Sequence, residues 1–517
     1  MSTRRDVTSG PGVNRRRLLT TGIALTGVLV GSGLLTSCGS PGGGSPAAAG
    51  KSRTLTIGTT VIDDAIQPMN EQYTTFQYNA FDALVRTSRN QDDATPRLAT
   101  SWERTSDTVW RFELREGVTF HDGSPLTAED IVFTFEETAA KQYANAQTIS
   151  TIKKVRAVGT SAVEIETSAP DPLLLARVGQ VFIVPKAYWK EVGEAGFNAA
   201  PIGSGQFRIT KFKQDEGIDF TAYKDYWGEA PKTSEIKLRY FTDAGALTAA
   251  LEAGQVDAAQ ELRADALPTL KNRSGITVAT EFSGNQNMLQ LNTSKGPFKD
   301  IRVRQAANKA IDAQALVKAI TYGGGVLEDG QLPIEGVFGH SKDIKRPAYD
   351  PEGARKLLKE AGAVGAKIEI TGMNLYKNLY ESVAAQLDAV GFSTTVRSVE
   401  TGVWVQEFRS GSNADIFYRG VSYTGVFDAD RAFSFVSSSA KPFVDDPEWD
   451  RLYTAQRSEL DPVERQKLLE EASKYLNEQS YLLWTYGRPT VGAMRDGVSG
   501  LTFENGLMLL IDKVSKK

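Results

Sequence analysis

The sequence predicts mixed α/β or α+β domains built on more than one hydrophobic core. Three observations lead there. Short apolar or alternating runs at 54–59, 109–114 and 367–370 read as strands. Helical stretches opened by capping residues lie between such runs. The chain has 517 residues, 41% of them hydrophobic, which is too long for one core and suggests two or three.

The first element is a targeting segment. Arg4, Arg5, Arg15, Arg16 and Arg17 make a basic start opposed only by Asp6. Residues 18–35 are apolar or small and uncharged, and Leu35-Thr36-Ser37-Cys38 follows. A basic region, an apolar region and small residues before a cut make a signal peptide over 1–37. The alternative, a transmembrane anchor, is weakened as a helix by Gly22, Gly27, Gly31 and Gly33. Leu35–Cys38 resembles a lipobox, so Cys38 is the expected lipidation site, carrying a diacylglyceryl group and a palmitate-type chain. Two buried chains are what stable anchoring takes. Asn14-Arg15-Arg16-Arg17-Leu18-Leu19 is similar to a twin-arginine export motif. Residues 38–52 are a Gly/Ser/Pro/Ala tether. Its end, Gly-Lys-Ser, imitates a phosphate loop, but Ser45 stands where the first glycine belongs and a strand pattern follows.

The body opens on the strand at 54–59. A second strand at 109–114 alternates apolar and polar residues. His121-Asp122-Gly123-Ser124-Pro125 reads as a turn, and Thr127-Ala128-Glu129-Asp130 has capping-box form ahead of a helix through 131–135. Asp350-Pro351, Asp446-Pro447 and Asp461-Pro462 each place a capping carboxylate before a proline at the first helical position. The first of these helices runs through Leu357 and Leu358 and stops at Gly362. The last carries Leu468, Leu469, Ala472, Tyr475 and Leu476 at helical spacing, a core stripe. Strands at 367–370 and 394–396 flank a helix over about 376–390.

Composition removes several function classes. Lys and Arg number 59 against 63 Asp and Glu, a net charge of −4, and cutting at Cys38 removes five arginines and one aspartate. Such a chain does not suit nucleic acid, whose binding rests on basic residues neutralising phosphates. Only two histidines occur, His121 and His340, and the single cysteine is assigned to lipid. No His-Glu-x-x-His or Gly-x-Ser-x-Gly motif occurs. No catalytic residues, metal ligands or cofactor are expected. An exported hydrolase acting on peptides or glycans through paired carboxylates is the alternative, since such pairing is spatial.

Residues 114–133, Leu-Arg-Glu-Gly-Val-Thr-Phe-His-Asp-Gly-Ser-Pro-Leu-Thr-Ala-Glu-Asp-Ile-Val-Phe, closely resemble the signature of the family 5 solute-binding proteins, the dipeptide, oligopeptide and nickel receptors of ABC importers. Pro201-Ile202-Gly203-Ser204-Gly205-Gln206-Phe207 is a second match. Leu291-Asn292-Thr293 with 297–306 and Ala310-Ile311-Asp312 is a third, and 348–362 a fourth. The resemblance implies a two-lobe, periplasmic-binding-protein-like α/β fold with a mixed α+β subdomain. It implies a larger first lobe at 53–283 with an extra subdomain at about 75–195, a second lobe at 284–484, and a return to the first lobe at 485–517. Two hinge crossings would lie near 285–291 and 482–486.

The resemblance also implies a site. In peptide-binding members a second-lobe segment begins at a tryptophan and ends near an aspartate that pairs with the ligand's α-amine. Here that segment runs from Trp404 through 415–425. The second family tryptophan falls at Val421 or Ser422, and the aspartate at Thr424 or Gly425, so the amine-binding carboxylate is missing from its place. Either Asp428 takes the role from a shifted loop or the ligand lacks a free amine there, because a buried ammonium needs a counter-charge. Trp404, Tyr418, Arg419, Tyr423 and Asp428 are the expected ligand-binding residues, with burial in the core as the alternative for the aromatics. Asn285, Gln286 and Asn287 either hydrogen-bond an extended ligand backbone or form a solvated loop. The implied function is a tethered extracytoplasmic receptor, a monomer at the outer face of the cytoplasmic membrane, that binds a peptide or similar small solute. It would deliver the solute to an ABC permease and ATPase complex, or else feed a sensor.

Overall fold

The computed structural model describes residues 54–516 apart from 62, 71–74, 89–93, 424–425, 438–442 and 505–507. The expected signal segment, Cys38 and the tether lie outside the described residues, as do Thr424 and Gly425.

Two main sheets organise the body. The larger runs, strand by strand, Val421–Ser422, Ile276–Gln286, Tyr486–Arg495, Ala258–Ala259, Leu55–Thr59, Glu235–Tyr240, Gly217–Ala222, Phe207–Lys213, with Val326–Leu327 paired beside Tyr486–Arg495. Leu55–Thr59 is parallel to both of its neighbours, and the remaining pairs are antiparallel. The second sheet runs Ser393–Val399, Lys367–Met373, Ile416–Tyr418, Leu289–Leu291, Leu482–Leu483.

Local sequence explains the strand–helix–strand unit in the second sheet. Lys367–Met373 and Ser393–Val399 pair in parallel, joined by the helix Lys377–Val390. That helix buries Leu379, Tyr380, Val383, Ala384, Leu387 and Val390, one face of a 3.6-residue period. Gly391 ends it at φ +117°, a conformation a β-carbon would disfavour. Full burial of each large apolar side chain contributes about 1.5–3 kcal/mol. The Asp-Pro starts fold as read: Asp350, Asp446 and Asp461 each accept backbone N–H bonds at the head of a helix. Thr127 and Asp130 form the capping box of Ala128–Ala140.

A third sheet of four antiparallel strands, Ala99–Ser106, Val109–Leu114, Ala162–Thr167, Ile152–Val158, has its own core reaching from Leu84 to Ile183. Phe76, Tyr78, Trp189 and Phe197 at its margins pack with Leu55, Ile57 and Ile236 in the first core. After Arg495 the chain stays there, contributing Leu501, Leu509, Ile511 and Val514.

Two of the motifs that carry the family resemblance hold each other. The His121 Nε2 lies 2.9 Å from the Gly205 carbonyl and its Nδ1 accepts the Gly203 N–H at 3.2 Å. One nitrogen donating and the other accepting fixes a neutral imidazole. Gly203 and Gly205 are required because a β-carbon would fall 2.0 Å from the Ala80 carbonyl oxygen and 2.5 Å from its carbon, respectively. The Tyr223 hydroxyl donates to the Phe120 carbonyl at 2.8 Å and completes the clasp.

Candidate functional site

The chain links the two main sheets through three short connectors, among longer crossings. It leaves the larger sheet at Gln286 and enters the second at Leu289. A second connector leads from Leu483 in the second sheet to Tyr486 in the larger, and a third from Tyr418 in the second to Val421 in the larger. The sequence led to an expectation of two passes. The third rests on the two-residue strand Val421–Ser422, too short to show a period.

Register aligns these passes. Asn285 lies opposite Ser422 on one side and Arg488 on the other, and Gln286 opposite Val421 and Gly487. On the far side of Tyr486–Arg495 the parallel strands Leu55–Thr59 and Ala258–Ala259 end at Thr60, Gln260 and Glu261. The carboxyl ends of parallel strands are where α/β sheets expose backbone and side chains to ligands.

Three polar residues fasten the passes together. Asn285, Gln286 and Asn287 are all buried, which removes the solvated-loop alternative. The Asn287 Nδ2 donates to the Tyr486 carbonyl at 3.0 Å, and the Tyr418 hydroxyl donates to Asn287 Oδ1 at 3.4 Å. The Gln286 Nε2 donates to the Gln331 carbonyl at 3.4 Å, while its Oε1 has no hydrogen-bond partner among the described residues. Glu328 lies beneath, accepting the Thr485 N–H at 2.6 Å. Burial pushes its carboxyl up to about 8, more than the Thr485 N–H and Arg346 pull it down.

Arg488 is the central cation. Its guanidinium carbon lies 4.8 Å from the Tyr376 ring centroid, and its Nη1 donates to the Tyr376 hydroxyl. Tyr376 packs on Tyr418 at 4.8 Å, and Tyr418 on Tyr380 at 5.7 Å. These rings come from the second sheet's side and Arg488 from the larger sheet, so the cluster joins both.

The other residues expected to bind ligand stand in different surroundings. Tyr418 and Tyr423 are fully buried, and burial pushes both hydroxyls far up. Tyr423 donates to the Leu332 carbonyl. Trp404 is half-buried on the helix Thr401–Ser410, stacked at 5° on Phe417, and its Nε1 donates to the Tyr418 carbonyl at 2.9 Å. Arg419 sits among the rings of Phe408, Phe417 and Phe443 at 5.1, 5.9 and 5.4 Å, and burial lowers it to about 10.

Asp428 is held in a buried ion pair in this arrangement. Its two oxygens take the Arg465 Nη1 at 2.6 Å and Nη2 at 2.8 Å, and Oδ1 also caps the helix Ala429–Phe433 through the Asp430 N–H. It forms one wall of a cavity of about 260 Å³. Trp110, Leu173, Leu175, Phe338, Phe427 and Leu460 are among the residues that line it.

Sequence reasoning missed Glu261, Glu328, Tyr376 and Arg488. Position beside the expected second crossing was the only signal available, for Arg488. Among the described residues no three His, Cys, Asp or Glu side chains are placed to hold a metal ion, and no helix is long and apolar enough to cross a membrane.

Known proteins resemble this chain. The profile for bacterial extracellular solute-binding proteins, family 5 Middle, matches residues 93–443. The dipeptide-binding protein of Escherichia coli (strain K12) is 25% identical over 447 residues, covering 77% of this chain and 82% of that one. The di/tripeptide-binding protein 3 of Pseudomonas aeruginosa (strain UCBPP-PA14) is 26% identical over 458 residues, 81% of this chain and 86% of that one. The structure of HbpA2 from Haemophilus parasuis superposes with a TM-score of 0.80 at 22% identity, covering 90% of this chain and all of that one.

Proposed function

We propose that this chain, which belongs to the family 5 bacterial extracellular solute-binding proteins, closes on a short peptide and delivers it chemically unaltered to an ABC permease. The single observation that carries the reading is the set of three short connectors between the sheets. It brings Arg488, Asn285 and the tyrosine cluster to one polar junction at the carboxyl ends of parallel strands. The similarity to dipeptide- and di/tripeptide-binding proteins over most of the chain supports peptide as the ligand class.

In this reading residues 53–283 and 485–517 form one lobe and 284–484 the other. The segments 286–289 and 483–486 act as hinges, and 418–421 follows them. Trp404 orients the Tyr418 carbonyl, and Asn285 and Gln286 meet the ligand backbone. Ligand selects the closed form by as much as it binds that form better.

Cys38 carries the lipid, and 38–52 is the tether that holds the monomer at the outer face of the cytoplasmic membrane, near its permease. The test has two arms. The protein, incubated with an equimolar Ala-Xaa-Ala tripeptide set, should retain members of it and release them unchanged in mass, whereas cleavage would indicate a hydrolase. In cells, Cys38→Ala should move the protein from the membrane fraction to the soluble exported fraction, and unchanged membrane retention would refute the lipid anchor.

A further inference from the structure

Glu261 follows the short strand Ala258–Ala259, and its backbone is held on either side. The Gln260 N–H donates to the Gly58 carbonyl at 2.9 Å, and the Leu262 N–H to the Val491 carbonyl at 3.0 Å. Between those ties Glu261 adopts φ +59°, a left-handed conformation that glycine takes freely and a glutamate does not. It caps no helix, unlike Tyr322 and Ser480, which share that conformation. Strain of this kind is retained where a side chain is needed.

The side chain has an unmet requirement. Its Oε1 is buried and has no hydrogen-bond partner among the described residues. A buried acceptor without a donor is costly. Arg488 is close enough for its field to reach the carboxyl, and its guanidinium lies on Tyr376. Burial outweighs Arg488 and pushes the carboxyl up to about 7. Two other carboxylates near the passes are committed, Asp428 to Arg465 and Glu328 to the Thr485 N–H.

We propose that Glu261 is the ligand's amine acceptor, so that the N-terminal ammonium of a bound peptide is read from the carboxyl ends of the parallel strands rather than from the 424–428 segment. This rests on the peptide-receptor reading above. An ammonium supplies the donor that Oε1 lacks, with a charge opposite to that of the ionised carboxylate.

The test uses the full chain and two probes, the Ala-Xaa-Ala set and the same set N-acetylated, with binding measured by native mass spectrometry. Glu261→Gln should weaken the free-amine set at least tenfold, while the acetylated set binds weakly and equally to both proteins. Glu261→Gly, which relieves the left-handed strain, should lose binding to the same extent with an unchanged or higher Tm. Between pH 5.5 and 7 the wild-type affinity for the free-amine set should rise, by up to about tenfold per unit as the carboxyl ionises, and the variant's should not. Free-amine binding within twofold of wild type in both variants would overturn the inference and leave the peptide reading standing. So would a lowered Tm in both variants with the pH dependence intact. Wild-type protein that binds neither set would overturn the peptide reading itself, and this inference with it.

Discussion

At residue scale, His121 shows how a feature that attracts functional readings can belong to the fold. Both ring nitrogens are engaged by backbone, and burial holds the imidazole down to about 4. The folded state therefore binds its proton less readily than the unfolded chain, whose histidine titrates near 6.5. Stability is full above pH 6.5 and is lost as pH falls from 6.5 towards 4, by on the order of 3 kcal/mol. Denaturant melts across that window should show the loss, and His121→Gln should flatten it at a constant cost near pH 7. Asp428 makes a second test. Asp428→Ala leaves the Arg465 guanidinium buried and unpaired, which should cost about 3–5 kcal/mol in unfolding experiments without ligand. A near-neutral result would return Asp428 to the pool of ligand contacts. The sequence could show that Asp428 was displaced from the family's aspartate, but not that Arg465 holds it, since that pairing exists only in three dimensions.

Among the elements, legibility follows how local the determinant is. The Asp-Pro helix starts at Asp350, Asp446 and Asp461, the Thr127 capping box and the helix Lys377–Val390 were readable because caps and periods lie within a few residues. Asp461→Ala should cost about 1 kcal/mol, the usual loss of a cap. Asp446→Ala should cost more, about 2–3 kcal/mol, because Asp446 also accepts the hydroxyls of Tyr475 and Tyr481. Equal losses would mean that those two bonds contribute little. The strand Val421–Ser422 was not readable, because two residues carry no pattern and its pairing with Asn285 and Gln286 is long-range. The polar junction was only partly legible for the same reason. Asn285, Gln286 and Asn287 stood out as a run, whereas Glu261, Glu328 and Arg488 are single charges that become informative once register places them. Glu328 gives this scale a pH signature opposite to that of His121. Its carboxyl is raised, so its share of stability is present below pH 4.5 and is lost as pH rises towards about 8. Glu328→Gln should remove that decline, which thermal melts between pH 5 and 8 would reveal.

On the scale of the whole molecule, two sheets with separate cores are stitched by three short passes, and the polar residues that could meet a solute gather where the passes run. Such a body can change the separation of its lobes by adjusting a few backbone torsions while each core keeps its packing. The family motifs follow the same division. On the proposed lobe division, the clasp of His121 with Gly203 and Gly205 falls in 53–283 and the caps at Asp300 and Asp350 in 284–484. These motifs identify the family because they make the scaffold, and they say little about the ligand. The central claim is that the scaffold encloses a peptide by lobe closure. Small-angle X-ray scattering of the full chain with and without saturating Ala-Xaa-Ala tripeptides tests it most directly. A smaller radius of gyration in the presence of the peptides is the expected result, and superimposable curves would contradict it.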